Sequence, residues 1–396
     1  MSPAPRIALA LGLAAVAALS GAAQRDAEAG PANERARTVT VEVEPDAPAG
    51  RSDRAARPVT VFLNSEGGIY TPGEPNDSIA NVTSAPDLPV SIGAWAGSAD
   101  EREALLACVA DLFSPFDVLV VDQDPGTAPH IEAVIGGYPS QFGREADVGG
   151  LSPLRTDCGV IDGSIVFAFP TVVGGDRKLC EVVAQEVAHS FGLDHELLCE
   201  DPMTYLGGCG DKEFQFRESV CGETEPRDCE CSRTQNSARD LLDRLGRGER
   251  PALWLAQPSS GDVLAAGFPV QAVVTRAPDA LDLHVDGAVV DSVSPAEVSG
   301  PYQLVDFDTG DRLRPGTHQV RVVAHFGGEE RQVEATVEVV REEGRAVVGD
   351  GCAAGGGEAP GGAIALLVGL VLARGRATPR AGRRRPGGPS TTAAVR

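Results

Sequence analysis

Eight of the nine cysteines in this 396-residue chain fall between Cys108 and Cys231: Cys108, Cys158, Cys180, Cys199, Cys209, Cys221, Cys229 and Cys231. The ninth, Cys352, stands alone far downstream. An even set inside one stretch constrains the fold strongly if the chain reaches an oxidising compartment, where it reads as up to four disulfides. The competing reading is a structural zinc knuckle. Cys229-Glu230-Cys231 has one intervening residue, where such knuckles commonly use two to four, so disulfides are expected. Eight cysteines allow roughly a hundred pairings, and sequence does not choose among them.

The N-terminus supplies the oxidising compartment. Arg6 precedes an apolar run from Ile7 to Leu19, and Ser20-Gly21-Ala22-Ala23 offers small residues for cleavage. A spanning helix takes about 20 apolar residues. The run is shorter, so residues 1–23 read as a signal peptide removed on export, with a retained anchor as the alternative. The expected location is extracellular or at the cell surface, associated with an outer membrane. The formal net charge is −23, although every charged residue from Arg374 onward is an arginine. Without that tail the body is more acidic still. Such a body is soluble and repels nucleic acid, which excludes nucleic-acid binding as a function class.

Residues 24–56 are rich in Ala, Arg, Glu and Pro and read as a linker or pro-segment. From 57 to 245 the pattern is mixed. A strand starts at Pro58, and Gly and Pro then punctuate about thirty residues of loop. A helix from Asp100 to Phe113 is expected, with Asp100 as its cap and Leu105, Leu106, Val109 and Leu112 on one side. Strands follow at 117–121, 131–135 and 163–169, then a helix from Lys178 to Phe191 capped by Asp176 and stopped at Gly192. Leu179, Val182, Val183 and Val187 form its core face. From 251 to 341 short strands alternate with turns such as Asp286-Gly287 and Pro315-Gly316, without a helix signal. That rhythm predicts an all-β sandwich. It resembles bacterial immunoglobulin-like modules, without the inter-sheet disulfide of antibody domains. The fold class expected is therefore α/β (α+β) followed by an immunoglobulin-like sandwich.

The chemistry concentrates in Gln185-Glu186-Val187-Ala188-His189-Ser190-Phe191-Gly192-Leu193-Asp194-His195. Residues four apart lie one above the other on a helix and can reach one ion. A glycine ends the helix and turns the chain back, and a further ligand arrives from that turn. The segment resembles the metzincin zinc-metallopeptidase pattern His-Glu-x-x-His-x-x-Gly-x-x-His. Asp201-Pro202-Met203-Thr204-Tyr205 resembles the methionine turn that follows it. The resemblance covers roughly residues 57–245. It implies a Zn2+ cofactor held by His189 and His195, Glu186 as base toward a zinc-activated water, Tyr205 as oxyanion stabiliser or ligand, and a protein or peptide substrate. Gln185 occupies the first ligand position in place of histidine. Two readings stay open: Gln185 or water completes a working site, or the domain is a catalytically impaired pseudoenzyme acting as a surface binding or adhesion protein. Oligomeric state is unknown.

The remaining candidates are plainer. His130, His284 and His318 sit outside any ligand-spaced cluster and read as structural or surface residues. Asn64 to Asp77 lacks the EF-hand register and reads as a solvated loop. Gly163-Ser164-Ile165 does not complete a nucleophile elbow. Residues 342–360 are Gly-rich and contain Gly351-Cys352, 361–373 are apolar, and arginines follow to Arg396. The arrangement resembles the MYXO-CTERM sorting signals of myxobacterial surface proteins. It implies transient, processed membrane anchoring through residues 361–396, with Cys352 as the processing or anchoring residue. A plain C-terminal anchor is the alternative.

Overall fold

The computed structural model describes residues 36–44, 59–295, 297–310 and 313–341. The described residues all belong to one compact unit. The signal-like segment, most of 24–56 and the whole C-terminal tail with Cys352 lie outside the described residues. Among the described residues no helix is long and apolar enough to cross a membrane.

The first half runs β1 (Arg37–Val43), β2 (Val59–Asn64), β3 (Gly68–Pro72), β4 (Val82–Thr83), β5 (Val90–Ile92), α1 (Ala99–Phe113), β6 (Val118–Val121), β7 (Ile131–Ile135), β8 (Val148–Arg155), β9 (Ile165–Ala168), α2 (Pro170–Val173), α3 (Asp176–His189) and α4 (Ser237–Leu245). One six-stranded sheet has the order β1-β8-β9-β7-β2-β6. β6, β2, β7 and β9 are parallel neighbours, which requires crossovers such as α1 between β2 and β6. Burial on both faces explains why β7 is apolar at every position but Glu132. β8 is antiparallel to β9, and β1 lies outside it, parallel to β8.

Helices α1 and α3 pack on one face of this sheet, around Leu105, Val109, Val182, Val183 and Val187. The other face buries Tyr70, Phe142, Leu151, Phe167 and Phe169 beneath the small sheet β4-β3-β5. That small sheet corrects the expectation of thirty residues of loop. Strand β1 lies within 24–56, the stretch expected as a linker or pro-segment. Two caps also differ from expectation. Ser98, not Asp100, caps α1, in a capping box with Glu101. Asp176 is the first residue of α3 and makes no cap bond. The cap is Gly175, and the helix ends at His189 rather than at Phe191.

All eight cysteines between 108 and 231 are paired: Cys108–Cys180, Cys158–Cys231, Cys199–Cys209 and Cys221–Cys229. The first ties α1 to α3 across 72 residues, a loop closure that removes about 4 kcal/mol of unfolded-state freedom.

The second half is all β: β10 (Leu253–Gln257), β11 (Val263–Ala265), β12 (Pro269–Val274), β13 (Ala280–Val285), β14 (Ala288–Val293), β15 (Gln303–Asp308), β16 (Gly316–Phe326) and β17 (Glu329–Val340). Sheets β10-β12-β15 and β11-β17-β16-β13-β14 enclose Val270, Leu281, Leu283, Val320, Val322 and Val337. Asp286 and Gly287 both have positive φ, as a two-residue hairpin turn between β13 and β14 demands. The sandwich joins the first half through β10. Trp254 packs with Phe116 and Phe216 and donates its indole N–H to the Phe214 carbonyl at 2.8 Å. Overall the described chain is mostly sheet, with few helices.

Candidate metal centre

The last turn of α3 carries Gln185, Glu186 and His189, all fully buried. The helix stops because Gly192 adopts φ +76°, and a Cβ there would lie 2.1 Å from the Cys158 carbonyl oxygen. Only glycine serves there, for two reasons: the positive φ and the packed backbone of the loop bearing the Cys158–Cys231 bridge. The turn brings His195 back over His189. Their rings meet edge to face, with centroids 4.6 Å apart, and their Nε2 atoms are 3.0 Å apart. Two nitrogens on one tetrahedral zinc ion lie about 3.3 Å apart.

The outer ring nitrogens are both engaged. His189 Nδ1 lies 2.7 Å from the Leu193 carbonyl, and His195 Nδ1 lies 3.4 Å from Glu223 Oε1. Each partner is an acceptor, so each Nδ1 carries the proton and both Nε2 lone pairs point inward. Burial, and then the neighbouring His195 ring, hold the His189 pKa down to about 3. Neutral imidazole is the form that binds metals.

Gln185 adds to this. Both polar atoms of its amide are buried without a hydrogen-bond partner among the described residues. An unsatisfied buried amide costs about 1–3 kcal/mol, and a cation accepting its oxygen would relieve half of it. No hydrogen bond joins Gln185 to either imidazole. The donor set is two inward imidazole nitrogens and an orphaned amide oxygen. It fits a borderline divalent cation such as zinc, though the neutral amide is a weaker third donor than imidazole.

Around this point the chain gathers further groups. The Glu186 carboxylate lies over Gly150 of β8, where a Cβ would come 2.2 Å from its oxygen. Met203 is fully buried, and its carbonyl accepts from Glu196 N–H at 2.9 Å, which ties the turn 201–205 to the residue after His195. Asp201 holds that turn by accepting from Met203 N–H and Gln215 N–H, each at 2.8 Å. Tyr205 stacks obliquely on His195 at 4.7 Å between centroids, and its hydroxyl donates to the Thr38 carbonyl. Burial, with help from the charges of Glu186 and Glu223, pushes its phenol up to about 12.

Sequence reasoning missed three contributors. Thr38 of β1 puts its hydroxyl 3.1 Å from His195 Nε2, and nothing in its local sequence signals this. Gly150 was hidden in an unread strand. Glu223 sits in the Cys221–Cys229 loop, where Arg227 holds it at 3.1 Å and also grips Asp194 with both terminal nitrogens, at 2.6 and 2.8 Å. The hydrogen bond with His195, followed by Arg227, draws Glu223 down to about 2 despite partial burial. Asp194, Cys221 and Cys229 also bring potential ligand atoms together, but both sulfurs belong to one disulfide and no thiolate is available.

No protein-family model matches the sequence, and no curated protein matches it. Solved structures give short or loose overlaps. Fibronectin(III)-like modules of Clostridium thermocellum CbhA are 21% identical over 23% of this chain and 98% of theirs, with TM-score 0.18. The CARDB domain of the PF1109 protein from Pyrococcus furiosus is 10% identical over 24% of this chain and 94% of its own, with TM-score 0.19. The endo-beta-1,4-mannanase from Thermotoga petrophila is 17% identical over 54% of this chain and 48% of its own, with TM-score 0.21. At such scores none of them bears on the function of this chain.

Proposed function

We propose that the first half is a zinc-dependent peptidase domain of the metzincin type, hydrolysing peptide bonds. The observation that carries the reading is the pair of inward Nε2 atoms of His189 and His195, 3.0 Å apart at the end of one helix and its glycine turn. Zinc, when bound there, supplies the Lewis acidity that makes water nucleophilic near neutral pH. His189, His195 and the Gln185 oxygen would hold it. Glu186, next along the helix, takes the proton from the attacking water and delivers it to the departing amine nitrogen. Tyr205 would offer its hydroxyl as a donor to the substrate carbonyl oxygen; its bond to the Thr38 carbonyl supports that role. Its raised pKa keeps it a donor at neutral pH.

Export and cell-surface sorting extend the proposal, because paired cysteines suit an oxidising compartment. One observation favours the second reading, an impaired enzyme that binds rather than cuts: Gln185 stands where the pattern has its first imidazole. Both readings meet one experiment. Purified protein is loaded with zinc and offered a quenched fluorogenic peptide. The peptidase reading expects turnover that a chelator abolishes and Glu186→Ala lowers at least a hundredfold, with zinc retained. Zinc binding without turnover would establish the binding protein instead.

A further inference from the structure

We propose that a cleft on the face of the six-stranded sheet opposite α1 and α3 binds a small organic cation, seating a primary ammonium group on Glu132. The cleft shares no residue with the proposed metal centre, so the proposal is independent of the peptidase reading. Side chains alternate across a strand. Val61, Leu63, Ile131 and Ala133 pack into the cluster that holds α1 and α3. Phe62, Asn64, His130 and Glu132 therefore lie on the other face. There the turn after β2, the segment 78–81 and the loop from Asp122 to His130 surround a cavity of about 670 Å³. Small-molecule sites span roughly 300–1,000 Å³.

The floor of the cleft is polar and buried. Glu132 is 3% exposed and His130 4%. Glu132 Oε1 accepts from Asn64 and Tyr70. Its Oε2 has no hydrogen-bond partner among the described residues and opens on the cleft. His130 Nδ1 lies 2.7 Å from the Ala128 carbonyl, so Nδ1 carries the proton and Nε2 is left as a second acceptor. Asn64 and Tyr70 need only an acceptor, which a glutamine oxygen would supply without a buried charge. Burial raises the Glu132 pKa, and the nearby Asp124 charge adds to that. A cation at Oε2 offsets both effects.

The rim adds negative charge. Asp122 and Asp124 are exposed at the mouth, and Glu66 pairs with Arg102 at 2.6 Å. Arg102 is engaged there and by the Trp95 and Gly97 carbonyls, at 2.8 and 3.3 Å. Asp122, Asp124 and Glu132 thus face the cleft with no cationic side chain to offset them among its described lining. Such a lining draws in cations. A metal ion is the poorer fit. Among the described residues, no three carboxylate or imidazole ligand atoms of the cleft lie within 4.8 Å of one another. Dispersed carboxylates beside the apolar walls of Phe62 and Ile79 suit an alkyl chain that ends in ammonium. Its N–H donors serve both Glu132 Oε2 and His130 Nε2.

Calorimetry on the full chain tests this with cadaverine, and with pentanediol as its uncharged counterpart. Cadaverine is expected to bind with a Kd below about 1 mM, and pentanediol not to bind. Glu132→Gln keeps the acceptor for Asn64 and Tyr70 and should weaken cadaverine by about tenfold or more. Asp122→Asn/Asp124→Asn, at exposed positions, should weaken it less. Imidazole nitrogen NMR of the wild type locates the site without any variant, because the His130 Nε2 signal should move with the calorimetric midpoint. No binding of cadaverine, equal binding of pentanediol, equal affinity in the wild type and both variants, or an unmoved His130 signal would each overturn the proposal. So would calcium binding that Glu132→Gln abolishes in protein that ignores cadaverine, since the cleft would then be a metal site.

Discussion

In the proposed metal centre, the side chain at Gln185 decides between strong and weak binding. Its amide is buried and unsatisfied on the same helical turn as His189. Replacement by histidine exchanges a neutral oxygen donor for an imidazole suited to zinc. Gln185→His is expected to raise zinc affinity at least tenfold, about 1.4 kcal/mol, measured by competition with a chelating dye. Unchanged affinity would mean that position 185 does not face the ion. Glu223 acts one step further out, through His195. Partners that orient a ligating ring are worth about 10–100-fold in metal affinity, and Glu223 is half exposed, so Glu223→Ala is expected near the lower figure. Glu223→Gln should fall between alanine and wild type, because the amide oxygen still accepts from Nδ1–H without a charge. Equal affinities in all three proteins would remove Glu223 from the site. Much of this centre is legible in the sequence. His189, Gly192, His195 and Met203 are local in the chain, and helix periodicity with a glycine stop fixes their geometry. Thr38 and Glu223 reach the centre from 157 residues before and 28 residues after His195, through strand pairing and a disulfide that spacing does not encode.

Among the elements, legibility follows burial pattern. β7 is apolar at four of its five positions and its bounds match the sequence reading, whereas β8 holds Gly149, Gly150 and Pro153 and reads as a breaker. It remains a strand because partners on both sides fix it. α4 was overlooked although Ala238, Leu241, Leu242 and Leu245 keep helical spacing behind the cap Asn236. β14 turns mostly outward and has no core signal. Glu132 of β7 is the apolar run's one exception. Its Oε1 accepts from Asn64 Nδ2 at 2.6 Å and Tyr70 hydroxyl at 2.9 Å, and burial raises its pKa against those bonds. A carboxyl raised in the folded state stabilises below its ordinary value of about 4.3, and that contribution is lost as pH rises toward the folded value. Glu132→Gln keeps the acceptor and removes the titration. Thermal midpoints at about pH 4 and pH 7 should show the variant gaining on wild type as pH rises; parallel curves would contradict this.

On the scale of the whole molecule, disulfides do the work that regular structure does elsewhere. Between α3 and α4 no helix or multi-residue strand is present, yet this stretch supports His195, Met203, Tyr205 and Glu223. Cys199–Cys209 closes the loop that contains Met203 and Tyr205, Cys221–Cys229 closes the Glu223 loop, and Cys158–Cys231 ties the end of that loop beside β8. The clustering of cysteines read at the outset thus braces the stretch that carries the proposed centre. The sandwich, with no cysteine in 251–341, relies on its own core. The most direct measurement is X-ray absorption at the zinc edge of protein loaded with one equivalent of zinc. Two imidazoles with oxygen or nitrogen donors at about 2.0–2.1 Å and no sulfur are expected, falling to one imidazole in His189→Ala. A sulfur shell at about 2.3 Å, or a spectrum unmoved by that substitution, would show that the ion lies elsewhere and contradict the assignment.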